Sequence, residues 1–476
     1  MAGKHVVAVD LGGESGRVMR ATFDGERLQI EEMHRFLNIP VQVGQTLYWD
    51  ALRIWHEVTT GIKLAAQDAA SIGVDTWGVD FAFLDRDGNM LANPIHYRDR
   101  SSEGMMEWVF ERVPRRELYD RTGIQFIAVN GLWRLAHLAR HHSPVLEIAT
   151  TFLTIPDLFN YWLTGSKTCE FTHATTGGFF NAHTRNWDLD VLSRLGIPTE
   201  MFPPVVQPGT RIGAYEGIPV IVPATHDTGS AVAAVPTTTD RFAYLSSGTW
   251  SLLGLEVDTP IMGDVAYEAN LTNEGGVYGT FRFLQNIAGM WLLQQCRAAW
   301  ADEGQQYEYA EMMAMADTAE PFRSFIDPDA DEFFQPGDMP ALIREFCKRN
   351  GQPVPESHAQ VVRTVYESLA FKYRYNLERL LRVSGREVDR LHIIGGGSRN
   401  TLLCQMTANA IGRVVVAGPG EATALGNAII QLISLGELKD LAQAREMLSR
   451  SDELVTYEPQ STAVWDEHYQ RFAAML

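Results

Sequence analysis

Twice along the chain a short apolar strand runs into a turn of glycines and hydroxyls and returns as a second strand. This doubled pattern limits the fold more than any other feature. The first copy is VAVDLGGESGR, residues 7–17. It predicts strands over Val6–Asp10 and Arg17–Phe23, with Leu11–Gly16 as the turn between them. The second is YLSSGTWS, residues 244–251. There Phe242–Leu245 reads as a strand, Ser246-Ser247-Gly248 as the turn and Trp250–Val257 as the returning strand. Two halves that open alike suggest a duplicated α/β fold. A length of 476 residues leaves room for about two to four domains. The segment VPTTTD breaks a helical pattern near Pro236–Asp240, so the expected domains are residues 1–237 and 238–476.

Between these landmarks the elements alternate. Asp24-Gly25 turns the chain into a strand over Arg27–Glu32. Leu52, Trp55, Val58 and Ile62 recur at helical spacing and predict a helix over Ala51–Ala70. IGVDTWGVDFAFLDRDGNML reads as two strands, with Asp85–Asn89 as a hairpin loop. Residues 102–164 look mostly helical, closing on Leu163-Thr164-Gly165. Late in the chain, strand Leu391–Ile394 runs into Gly395-Gly396-Gly397 and a helix over Arg399–Ile411. A strand at Val414–Val416 and a helix at Ala422–Leu435 follow.

Charge narrows the function. A formal net charge of −19 works against adhesion to nucleic acid or anionic membrane. An anionic ligand must then be held by local devices such as backbone N–H groups, a few basic residues or a metal ion. No run approaches the ~18 apolar residues of a membrane helix, and MAGKHVVAVDLGG is too short in apolar residues for a signal peptide. Four scattered cysteines show no close pair of the kind zinc or redox sites use. A reduced, cytoplasmic enzyme without nucleic-acid, membrane or obligate protein partners is expected. No GK[ST], no G-x-G-x-x-G after a strand and no H-E-x-x-H occurs, so the commonest phosphate, dinucleotide and metalloprotease motifs are absent.

Three segments can carry chemistry. In residues 7–17 the strand delivers Asp10 to its end, and Gly12, Gly13 and Gly16 let backbone approach a ligand. Such a turn can aim N–H groups at a phosphate, with Arg17 as a charged donor and Asp10 placed to hold magnesium. An ordinary glycine-rich turn would read the same way. In PATHDTGSAVAAV, residues 223–235, Asp227 opens a small-residue helix. It either caps that helix or acts as a general base, with His226 and Thr228 orienting a polar substrate. GGGSRN, residues 395–400, sets three glycines before a helix N-terminus, which favours anions or reflects structural glycine use. Trp77, beside Gly78, is the tryptophan expected near a ligand.

Taken together, residues 7–17, the Leu163-Thr164-Gly165 turn, His226-Asp227-Thr228, Ser247-Gly248-Thr249 and the triple glycine resemble the FGGY carbohydrate kinases. RTVYESLAFKYRYNLE, residues 363–378, is similar to that family's long second-domain helix. IGVDTWGVDFAFLD, YRDR, TGIQF, SSGTWSLLG, NLTNEGG and NIAGMWLLQ are similar to segments of its members that act on L-rhamnulose. The resemblance implies two ribonuclease-H-like (actin/hexokinase-type ATPase) domains with an interdomain cleft. It also implies ATP and Mg²⁺, and phosphorylation of L-rhamnulose on its 1-hydroxyl.

Residue by residue, the resemblance sets Gly13, Glu14, Ser15, Gly16 and Arg17 at the nucleotide phosphates. Thr249, Gln294 and Gly396 complete the ATP site. Gly78, His226, Asp227, Thr228 and Asn286 line the sugar site, with Asp227 as the base, and Asp10 stands near the magnesium. Glu14 departs from the family's hydroxyl at that position. A carboxylate there repels phosphate unless it turns toward metal-bound water or Arg17. Two alternatives stand beside this reading: a kinase of the same family acting on another ketose, such as fuculose or xylulose, or on a polyol, and an actin-like or chaperone-like ATPase switch. The switch would hydrolyse ATP without added sugar.

Overall fold

The computed structural model describes residues 3–476. They form two compact units. The first takes the chain up to Thr238 together with Glu256–Phe283 and Ala422–Arg450; the second takes Thr239–Leu255, Leu284–Glu421 and Ser451–Leu476.

The sheet of the first unit has six strands: β1 (Lys4–Leu11), β2 (Ser15–Phe23), β3 (Leu28–Leu37), β4 (Ala69–Thr76), β5 (Arg211–Tyr215) and β6 (Ile218–Ile221). Their order is β5-β6-β4-β1-β2-β3. The β1–β2 and β2–β3 pairs are antiparallel, while β4 runs parallel to both β1 and β6. Val6, Val7, Ala8 and Val9 of β1 are all buried, as an unbroken apolar run in a strand covered on both faces should be. Side chains alternate between faces. Ala8 and Met19 pack on Ala424 of helix Ala422–Ser434. Val18, next in sequence to Met19, packs on Gly61 of helix Ala51–Ala65, where an added Cβ would come within 2.4 Å of it. Each buried Val of this kind contributes about 1.5–3 kcal/mol.

The second sheet has seven strands: an edge strand over Thr272–Gly275, together with β7 (Phe242–Ser247), β8 (Trp250–Val257), β9 (Phe281–Ala288), β10 (Arg390–Ile394), β11 (Val414–Ala417) and β12 (Val455–Tyr457). Its neighbours run β12-β11-β10-β7-β8-β9, with Thr272–Gly275 beyond β9; the arrangement follows the first sheet except that the last two strands in sequence exchange places and a seventh is added. Again the opening hairpin is antiparallel, the next two central pairs are parallel and the edge pair is antiparallel. This is the duplicated α/β fold that the two hairpin signals suggest, in the ribonuclease-H-like form that the family resemblance implies. The long helix His358–Ser384 starts on a Ser357/Gln360 capping box and stops at Gly385, whose φ of 65° suits a left-handed cap.

One of the sequence expectations here needs correcting, and another is refined. The first helix stops at Ala65, not Ala70, because Asp68 takes φ 56° and swings the chain into β4. Residues 102–164 are mostly helical, as expected, in five helices broken at Pro114, at Gly123, before Pro144 and by the strand Thr151–Thr154. Glycine in the left-handed region and proline at a helix start punctuate the chain where apolar periodicity alone runs on. Among the described residues no helix is long and apolar enough to cross a membrane.

Candidate active site

In the first unit the carboxyl ends of the parallel strands gather the polar side chains, the edge where open α/β sheets bind ligands. Asp10, at the end of β1, is in register with Arg17 across the hairpin and with Asp75 on β4. Register neighbours share a face, so all three side chains point the same way. Arg17 Nη2 lies 2.6 Å from Asp10 Oδ2. Thr76 N donates to Thr225 O, and Thr76 and His226 form a parallel bridge. That bridge brings the His226-Asp227-Thr228 segment to the end of β4.

Asp75 is fully buried, and burial followed by the charge of Asp10 pushes its carboxyl well above the ordinary carboxylate range. Asn427 Nδ2 donates to Asp75 Oδ2 at 2.6 Å, which works the other way by favouring the anion. Asn427 Oδ1 in turn accepts from Gln431, whose Nε2 also donates to Val7 O. Helix Ala422–Ser434 thereby ties the ends of β1 and β4 together.

Asp227 is the first residue of helix Asp227–Ala233, with His226 at the cap position. Its Oδ1 accepts from Thr228 N at 2.6 Å and from Thr228 Oγ1 at 3.2 Å, and His226 Nε2 stands 3.3 Å away. The carboxylate thus binds the N–H of the next residue, not as the helix cap, which is His226 without a side-chain capping bond, and its side chain keeps 29% of its surface exposed. The small residues of this helix have a packing reason: Gly426 approaches so closely that an added Cβ would stand 1.7 Å from Ser230 O.

Gly78 lies against His226, where a Cβ would come within 2.9 Å of Nε2. Its neighbour Val79 has φ 68°, a strained position for a β-branched residue. Thr176 Oγ1 accepts from Val79 N and Arg134 Nη2 donates to Val79 O, which holds the turn. Trp77 is buried beneath it. Its indole N–H donates to Asp80 Oδ2 at 2.9 Å and its ring stacks on Trp49 at 4.1 Å. Its polar atom is thus used within the fold.

The hairpin tip itself is partly structural. A Cβ on Gly16 would fall 2.2 Å from the Phe36 ring, so that glycine answers a packing demand. Glu14 is exposed, and its carbonyl accepts from Asn38 N at 2.8 Å. Mg²⁺ prefers oxygen donors and is commonly held by one or two carboxylates, with water and phosphate completing its shell. Asp10 at the strand end fits that demand, and Asp75 Oδ1 is buried with no hydrogen-bond partner among the described residues. Among those residues no group of three or more His, Cys, Asp or Glu side chains is arranged to enclose a metal.

The second unit holds Thr249, Asn286, Gln294 and Gly396. Thr249 sits in the β7–β8 turn and accepts from Gln294 Nε2 through its Oγ1 at 3.3 Å. Met290 N and Trp291 N donate to Gly248 O and Thr249 O, so the start of helix Trp291–Asp302 is laced to the hairpin tip. Asn286 lies within β9. Gly395 has φ 82°, and Gly397 touches Ser247 so closely that a Cβ would stand 2.0 Å from its Oγ. Gly396 is different: it is exposed and nothing lies within 4 Å of where its Cβ would be. The expected helix N-terminus behind the glycines is displaced, because a 3₁₀ turn over Gly396–Arg399 intervenes and Asn400 caps helix Thr401–Ile411.

Sequence reasoning missed Asp75, Asp80, Arg134, Glu274 and Arg282. Asp75 stands one residue before the end of its strand, as Asp10 does, but the sequence alone did not set it apart. The other four become visible only through tertiary contacts.

Comparison with known proteins agrees with this architecture. The N-terminal domain of the FGGY family of carbohydrate kinases matches residues 5–234, and its C-terminal domain matches residues 243–435. A rhamnulokinase of Bacteroides thetaiotaomicron is 48% identical over 482 residues, covering 98% of this chain and 99% of that protein. One of Pectobacterium atrosepticum is 41% identical, covering 100% and 97%. The crystal structure of a ligand-bound xylulose kinase from Lactobacillus acidophilus superposes with TM-score 0.81 at 17% identity, over 99% of this chain and 97% of that one; it shares the fold. Both halves of the chain, in order and nearly end to end, belong to the FGGY family of carbohydrate kinases.

Proposed function

We propose that this carbohydrate kinase transfers the γ-phosphate of ATP to the 1-hydroxyl of L-rhamnulose, giving L-rhamnulose 1-phosphate and ADP, with Asp227 as the base. The observation that carries the reading is the partly exposed Asp227 carboxylate, fixed by Thr228 N and His226 at the sheet edge that also bears Asp10 and Arg17. The choice of sugar rests on relatives named rhamnulokinase at 40% identity and above over nearly the whole chain. Residues 1–237 serve as the sugar-binding domain with the first phosphate hairpin, and 238–476 as the nucleotide-binding domain. Four free, buried cysteines accord with a cytoplasmic protein.

Phosphoryl transfer needs alignment of the acceptor oxygen and neutralisation of the phosphate oxygens. Asp227 accepts the proton of the sugar hydroxyl. His226, Thr228 and Gly78 shape the sugar contact in the first unit, and Asn286 contributes from the second. The N–H groups of Gly13, Glu14, Ser15 and Gly16 with the Arg17 guanidinium face the phosphates, with the Glu14 side chain turned to solvent. Thr249, Gln294 and the open backbone of Gly396 receive the nucleotide. Mg²⁺ near Asp10 supplies charge neutralisation on the phosphate oxygens when bound. A coupled assay of kcat/KM over a panel of ketoses and polyols tests the assignment: L-rhamnulose should lead, and a lead for D-xylulose, gluconate or glycerol removes it. ATP turnover without any sugar would favour the switch reading instead.

A further inference from the structure

Behind His226 stands a buried group that the mechanism does not use. Arg282 belongs to the Glu256–Phe283 segment of the first unit and is 0% exposed. Its Nε donates to Gly275 O at 2.9 Å, which fixes the plane of the guanidinium. Its Nη2 then lies 2.9 Å from His226 Nδ1 and 3.0 Å from Glu274 Oε2. A guanidinium has donors and no acceptor. The ring nitrogen within hydrogen-bond distance of it must therefore be the accepting one and carries no proton. Glu274 Oε2 also stands 3.5 Å from His226 Nδ1, too far for a good hydrogen bond, and pairs with Arg282 instead.

The proton of the neutral imidazole is thus left on Nε2, the nitrogen 3.3 Å from Asp227 Oδ1. The charged and titratable groups around the ring are Asp227, Glu274, Arg282 and His173, whose ring centre is 6.1 Å away. Burial brings the pKa of His173 down to about 3, so it adds no charge near neutral pH.

We propose that Arg282 is a positioning residue that locks His226 in its Nε2–H tautomer, so that the imidazole donates toward Asp227 and the sugar instead of competing for the sugar's proton. The proposal rests on the reading of Asp227 as the base. Without the guanidinium, Glu274 would face Nδ1 and favour a proton there. The ring would then turn a lone pair toward the Asp227 carboxylate, or become an imidazolium that weakens Asp227 as a base.

Histidine labelled with ¹³C and ¹⁵N in the full-length protein reads the tautomer directly, with a His226→Gln spectrum assigning the signal. The expected spectrum has Nδ1 unprotonated and Nε2 protonated at neutral pH. A proton on Nδ1, or an imidazolium, overturns the proposal. In Arg282→Met, protonation should shift toward Nδ1 and kcat should fall by about tenfold or more, with a smaller change in sugar KM. The acid limb of its pH profile should move to higher pH. Arg282→Lys, which keeps a donor, should recover part of the loss. A folded Arg282→Met with the wild-type tautomer overturns the proposal; if that variant does not fold, the wild-type spectrum decides alone. An Asp227→Asn enzyme that kept its turnover would remove the base and leave the tautomer result standing, so the two failures are distinguishable.

Discussion

The two opening hairpins occupy matching places in their sheets and carry opposite chemistry. One register pair before the turn, the first sheet sets Asp10 opposite Arg17, with Asp75 on the parallel neighbour. At the same place the second sheet sets Ser246 opposite Leu252, with Ile394 on the parallel neighbour. The backbone geometry is the same, so the fold does not require the charges. Withdrawing a carboxylate from water is unfavourable by several kcal/mol unless it is paired. Here Arg17 pairs Asp10, while Asp75 is driven toward its neutral form. The duplicated fold carries an ionic hairpin in one copy and a hydroxyl hairpin in the other, a division that matches the separate roles given to the two halves in the proposed function.

The largest test of that division is Asp227→Asn. The amide keeps the size and still accepts from Thr228 N, so the melting temperature should hold. Turnover should fall at least about a hundredfold, the lower part of the general-base range. Lower stability with turnover largely kept would make Asp227 a structural residue and nothing more.

Arg17→Ala comes next. It removes a charge-assisted contact worth roughly 1.5–3 kcal/mol, or about ten- to a hundredfold in kcat/KM for ATP. Sugar KM should move far less. Unchanged ATP kinetics would take the ionic hairpin out of the nucleotide site.

Gly16→Ala probes structure, not chemistry. A methyl group pushed into the Phe36 ring should lower stability by about 1–3 kcal/mol, read by urea denaturation. A stable Gly16→Ala protein would show that the Phe36 contact does not require glycine there, leaving only its proposed phosphate contact as the reason for it.

In the hydroxyl hairpin the effects should be smaller. Thr249→Val deletes a neutral hydrogen-bonding group worth about 0.5–1.5 kcal/mol and should raise ATP KM by a few-fold, up to about tenfold. Smallest in stability is Gly396→Ala, which fills open space and should stay within about 0.5 kcal/mol of wild type. Its effect should appear in nucleotide binding, measured by calorimetry with ADP. A loss of stability equal to that of Gly16→Ala would erase the distinction between the packing glycine and the open one.

What the sequence determined by itself is local and periodic. Alternation and apolar runs marked β1, β2, β7 and β8, and a strand ending in Asp10 with glycines behind it marked the hairpin, because strand period and turn chemistry are written in consecutive residues. The family motifs likewise marked His226, Asp227 and Thr228. What only tertiary structure decided depends on residues far apart in sequence. Gly16 answers to Phe36, Gly426 to Ser230 and Trp77 to Trp49, contacts that strand or helix period does not relate. Asp75 looked like an ordinary strand residue until its register with Asp10 and its contact with Asn427, 352 residues away, surrounded it with charge and burial. Arg282 reached His226 across 56 residues of chain. Electrostatics and close packing act through space, falling off with distance between atoms and not with position along the chain, so the environment of each site residue became legible only once the chain was folded.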